Sequence, residues 1–127
     1  MRDKVTFEYA VIRVIPRVER EEFFNVGVIL FSKRKKFLGV KYQINDKILK
    51  AFSSELDIDF LNQYLLSWDL ICQGKAEGGP IAQFELSDRF RWLAAARSTV
   101  IQSSKTHPGL CENPELILEQ LFKEYVL

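Results

Sequence analysis

A chain of 127 residues, 47% hydrophobic and 13% aromatic, is sized for one domain with its own apolar core, and its composition excludes the disordered class. Eighteen basic against seventeen acidic residues leave a net charge of +1, so no long-range field draws the protein to nucleic acid or to an anionic membrane. Asp3, Glu8 and Arg13 interrupt the stretch where a signal peptide would need its apolar centre, and no apolar run reaches the length of a membrane span. The expectation is a cytoplasmic protein with no membrane contact, and Cys72 and Cys111, far apart and without metal or redox spacing, fit a reducing compartment as small core residues.

The first element is a strand over residues 5–15, where "TFEYAVIRVI" is rich in β-branched and aromatic side chains and Pro16 ends the run for want of an amide hydrogen. Strands over 23–31 ("FFNVGVILF") and 37–42 ("FLGVKY") follow, joined by the charged turn Ser32 to Lys36. The three should form an antiparallel meander. A short helix is predicted around "DKILKAFSSEL", and a long one over 57–72, where Ile58, Leu61, Leu65, Trp68 and Cys72 recur at three- and four-residue steps. The glycine-rich "GKAEGGP" is a loop. Beyond it, "IAQFEL" reads as a fourth strand, Ser87 as the cap of a helix through "DRFRWLAAAR", and "STVIQSS" as a further strand. Asn113-Pro114-Glu115 opens a last helix over 114–125, with Leu118, Leu121, Phe122 and Tyr125 as its buried stripe. The fold class is therefore α+β, a single domain in which helices pack on an antiparallel β-meander.

A few polar residues fall in awkward places. Alternation puts Arg13 on the face of Phe7, Tyr9, Val11 and Ile15, and helical periodicity puts Arg97 on the side of Phe90 and Leu93. A guanidinium unpaired in such surroundings costs several kcal/mol, so each needs a carboxylate, a set of carbonyls or a bound anion. Glu22, in the acidic cluster Glu19, Glu21 and Glu22, is the expected partner for one of them, so that Arg13, Glu22 and Asn25 should meet in space. The plain reading is a structural ion pair; the functional one is an arginine-lined pocket for a phosphate, a carboxylate or an acidic peptide. Asn25 and Gly27 should share a strand face, and the glycine there marks a bulge, a close backbone approach or room for a helix. His107, the sole histidine, lies near Ser103 and Ser104, with Pro108 and Gly109 expected to force a turn after it. The glycine-flanked nucleophile elbow of a hydrolase is missing, and the histidine is assigned to ordering the loop. Lys33 to Lys36 reads as a solubilising turn, not a nucleic-acid finger, and no glycine-rich phosphate loop, dinucleotide fingerprint or histidine-rich metal cluster is present, so neither cofactor nor metal is expected.

The combination of "YAVIRVIP", "EEFFNVGVILF", "DRFRWLAAARSTVIQSS", "HPGL" and "LEQLFKEYVL" resembles a bacterial family known as domain-of-unknown-function family 3037. The resemblance rests on Arg13 and Pro16; on Glu22, Asn25, Val26, Gly27 and Val28; on Arg89, Trp92, Leu93, Arg97 and Ser98; and on His107 and Gly109. Members of that family carry a glycine immediately before the position of Glu22, and this chain departs from the pattern with Glu21. The resemblance implies no known reaction. It does imply a partner, since such proteins are often encoded beside one similar to the HipA-like kinases. Two readings follow. In the first, the protein is a non-catalytic binding or regulatory module docking on a partner protein through a polar groove lined by Arg13, Glu22, Asn25 and Arg97, with Arg89 or Arg91 at its rim and His107 as a further binding candidate. In the second, the same groove is an enzyme site for a phosphate-bearing or nucleic-acid substrate, with Glu22 or His107 handling the proton. The sequence does not decide between a monomer and a homo-oligomer.

Overall fold

The computed structural model describes residues 4–95 and 99–127, the side chain of Val18 excepted. Among them, the strands β1 (Val5–Val14), β2 (Phe24–Ser32) and β3 (Phe37–Tyr42) form the expected antiparallel meander. The helices α1 (Asp46–Phe52), α2 (Ile58–Gln73) and α4 (Pro114–Tyr125) also stand where periodicity put them. Each begins at a side-chain cap. Asn45, Asp57 and Asn113 turn their carboxamide or carboxylate oxygens to first-turn amides that have no partner within the helix.

The far edge of β1 is shared by two short strands, β4 (Ile101–Ser103) and β5 (His107–Cys111), both antiparallel to it. Ser104 stitches the gap between them. Its amide donates to the Val11 carbonyl at 2.8 Å, and its hydroxyl accepts from the Val11 amide at 2.9 Å. The sheet, five strands among the described residues, runs β3-β2-β1 with β4 and β5 beyond β1. The fold is α+β.

Both faces of the sheet are covered. On one, Ala10, Ile12, Val14, Ile29 and Phe31 pack against Leu49 of α1, against Leu61, Leu65 and Trp68 of α2, and against Phe90 and Leu93 of α3 (Leu86–Ala94). On the other, Val5, Phe7, Val28 and Leu30 pack against Leu118 of α4. Burying each such large side chain contributes about 1.5–3 kcal/mol.

Four local expectations are corrected. Residues 81–86 are not a strand: Gly79 at φ 83° and Pro80 lead into a 3-10 turn, Pro80–Gln83, and Leu86 already belongs to α3. Ser87 lies inside the first turn of α3, whose cap position is Glu85, and the helix stops at Ala94 because Ala95 is extended. His107 to Cys111 is a strand where a turn was expected. Pro108 is tolerated because β5 pairs only with β1 among the described residues, so no second neighbour asks for its missing amide hydrogen.

The fourth correction concerns β2. Its register against β1 shifts between Ile12 and Arg13, leaving Val26 as the extra residue of a bulge. Gly27 therefore pairs with Ile12 and Asn25 with Arg13, on opposite faces of the sheet. The glycine makes room for β3 and not for a helix, since a Cβ there would stand 2.7 Å from the Lys41 carbonyl oxygen.

Candidate functional site

Arg13 and Asn25 occupy paired positions at the end of the β1–β2 hairpin, on the face that α4 covers. The Arg13 guanidinium lies over the Phe23 ring, 4.1 Å from its centroid, and Phe23 is 46% exposed. Asn25 Nδ2 donates to the Tyr125 carbonyl at the end of α4, at 3.2 Å. The Tyr125 hydroxyl meets that of Tyr9 at 3.2 Å, and the Tyr9 ring packs on His107 at 5.3 Å between centroids. Arg13, Asn25, Tyr125, Tyr9 and His107 thus form one row. The hydrogen bond to Tyr125, with burial second, pushes the Tyr9 phenol up to about 12, so Tyr9 stays protonated at neutral pH.

Two atoms in the row stand out: Arg13 Nε and Asn25 Oδ1 are shielded from solvent and have no hydrogen-bond partner among the described residues. The expected carboxylate is not on Arg13. Glu22 pairs with Arg20 at 2.5 Å, in the connection between β1 and β2. Glu21, just before it, has φ 58°. A left-handed turn that glycine would make without strain is therefore present here, built with a side chain that disfavours it.

Glu22 lines a separate cleft of about 470 Å³, on the side of the hairpin end that faces α1. Its walls are Pro16, Arg17 and Arg20 on one side and the end of α1 with Lys50, Phe52, Ser53 and Glu55 on the other. Each cation there has a partner. Arg17 reaches Glu55 at 3.5 Å, Arg20 holds Glu22, and Lys50 Nζ donates to the Leu56 carbonyl at 2.6 Å.

The other sequence candidates have structural duties. Arg89 Nη1 donates to the Ile71 and Cys72 carbonyls at 2.9 and 3.1 Å, closing the C-terminal end of α2 beside Gly74. Arg91 holds both Glu8 carboxylate oxygens, at 3.2 and 2.6 Å, and so ties α3 to β1. Neither is the rim of a groove around Arg13. Arg97 lies outside the described residues. Ser103 and Ser104 donate to the Leu93 and Lys105 carbonyls at 3.4 and 2.9 Å, so neither hydroxyl is directed to an imidazole. Burial pushes the Cys72 thiol up to about 12, which makes it inert as a nucleophile. Metal-ligand chemistry finds no cluster of three or more His, Cys, Asp or Glu among the described residues.

Sequence reasoning missed Tyr9 and Tyr125 as parts of the row, and Phe23 as the ring against the Arg13 guanidinium. Tyr125 was expected in the buried stripe of α4 and is instead 37% exposed at the helix end. The available signal was the hairpin itself, since pairing β1 with β2 brings the residue beside the acidic cluster, Phe23, next to Arg13.

The family model described as "Protein of unknown function (DUF3037)" matches residues 9–126, nearly the whole chain. The chain belongs to this family. Every residue of the Arg13 to His107 row lies within the span matched to the family. No curated protein and no solved structure matches the chain. No helix among the described residues is long and apolar enough to cross a membrane.

Proposed function

We propose that the protein is a small non-catalytic binding module that docks on a partner protein through the face carrying Arg13, Phe23, Asn25 and Tyr125. One observation carries this reading: Arg13 is half-buried, stacked on an exposed aromatic ring, and has no carboxylate partner among the described residues. A structural arginine in that position would hold Glu22 bidentately. Arginine is enriched among the residues that dominate protein interfaces, and its planar guanidinium stacks on aromatic faces. The alternative, an enzyme acting on a phosphate-bearing or nucleic-acid substrate, has less support. It would need Glu22 or His107 facing the anion held by Arg13, but Glu22 is held by Arg20 and His107 is packed on Tyr9.

The first partner to test is the kinase-like protein that the family resemblance suggests. Immobilised wild-type protein should retain a HipA-like kinase encoded beside it, and Arg13→Gln should lose it with little change in melting temperature. Glu22→Gln should bind as wild type does. Retention by Arg13→Gln, or equal loss in both variants, would refute the assignment.

A further inference from the structure

We propose that the open edge of β3 pairs antiparallel with β3 of a second copy of this chain, about a twofold axis at Val40. The proposal does not depend on the docking face and rests on a difference between the two edges of the sheet. Beyond β1 the edge is guarded: β4 has only three residues, and β5 carries Pro108, which has no amide hydrogen to offer a further strand. At the other edge, β3 pairs only with β2 among the described residues. It runs for six residues in regular register without a proline, and all of them keep partial exposure while β2 is buried from Val26 to Ser32. Its one charge, Lys41, is turned back onto α4, 3.9 Å from Glu119 Oε1 and 5.3 Å from the Phe122 ring centroid. The usual guards of an open edge are absent from this strand.

Two hydrogen bonds fix which backbone groups face outward, because residues of an antiparallel ladder bond alternately to one side and to the other. The Gln43 amide donates to the Val26 carbonyl of β2 at 2.8 Å, so Lys41, Gly39 and Phe37 also turn to β2. On β1, Val11 bonds to Ser104 on its far side, so Ile12 turns to β2; Gly27 opposite it then turns to β1, and Val28 turns to β3, where its partner is again Lys41. Leu38, Val40 and Tyr42 therefore present both amide and carbonyl to the open edge.

That edge is complementary to itself. With the axis at Val40, Leu38 of one copy falls opposite Tyr42 of the other and Val40 opposite Val40, so every outward group finds a partner and the cross-strand pairs are apolar. Lys41 then lies opposite Gly39. An axis at Lys41 would oppose two lysines and leave Leu38 without a strand partner, and an axis at Gly39 would set Tyr42 against Lys36, which lies in the turn at φ 51°.

The test is analytical ultracentrifugation of wild type and Val40→Pro from micromolar to millimolar concentration, with amide hydrogen exchange read by NMR over the same series. Val40→Pro removes an amide that only the edge uses and leaves the β2–β3 ladder whole. Wild type should move from 14.8 kDa toward twice that mass, with exchange at Leu38, Val40 and Tyr42 slowing at least about tenfold as it does, while Val40→Pro stays at 14.8 kDa. The exchange series on wild type decides the matter even where Val40→Pro fails to fold. A wild type that stays monomeric, or that dimerises with these amides unprotected, would overturn the proposal. So would protection that appears only on adding a HipA-like kinase, which would assign the edge to a strand of that partner.

Discussion

Glu21→Gly should stabilise the protein. At φ 58° the Glu21 Cβ crowds the adjoining backbone, a conformation that costs an L-residue about 1–2 kcal/mol and glycine nothing. Glycine also adds freedom to the unfolded chain, which takes back about 0.4–1 kcal/mol. The net gain is about 0.5–1 kcal/mol, or a rise of about 2–5 °C in Tm for a domain of this size. Trp68 is buried in the core and reports unfolding by fluorescence, so urea titration gives the change directly. The urea dependence of the free energy should be unchanged, because the surface exposed on unfolding is the same. Glu21→Ala is the control. It removes the carboxylate but keeps the Cβ, and should move stability by less than about 0.5 kcal/mol. If glycine brings no gain, or alanine brings as much, backbone strain is not what distinguishes this position.

Gly27→Ala should destabilise by about 1–3 kcal/mol in the same assay, because its Cβ would meet the Lys41 carbonyl oxygen at 2.7 Å and β3 would have to move. Arg89→Met keeps the stem but leaves the Ile71 and Cys72 carbonyls without their donor; a loss of about 1–3 kcal/mol is expected, with amide exchange rising first near the end of α2. Burial, with Asp69 adding to it, raises the Cys72 thiol from its ordinary 9.0 to about 12, so the folded state holds that proton more tightly than the unfolded one. The resulting stability is complete below about pH 9 and is lost as pH rises toward 12, so Cys72→Ala should flatten the alkaline fall seen by urea unfolding at pH 8 and 10.5.

The meander and the helices α1, α2 and α4 were legible because a period of two or of 3.6 dominates each stretch and a cap marks each helix start. β5 was hidden because Pro108-Gly109 has the composition of a turn, and only an edge position makes the proline acceptable in a strand. Gly109 has its own reason to be there: a Cβ would fall 2.4 Å from the Phe7 ring, a constraint set by a strand about a hundred residues away. The bulge at Val26 reversed the parity on which the facing of Asn25 and Gly27 had been read. Arg13 was placed correctly on its face, since no bulge falls within β1. Its carboxylate was not, because the chain turns at Glu21 and Glu22 pairs with Arg20 instead. Side-chain orientation within an irregular connection leaves no periodic trace in sequence, so that Arg13 has no carboxylate partner among the described residues could be seen only in three dimensions.

The most direct measurement is the affinity of Arg13→Gln for a HipA-like kinase, the partner proposed above, by titration calorimetry at a temperature where both the variant and the wild type are folded. If Arg13 is the centre of a docking face, Kd should rise at least about tenfold, the loss expected of an interface arginine. A Kd within twofold of wild type would contradict the account and return Arg13 to a structural role.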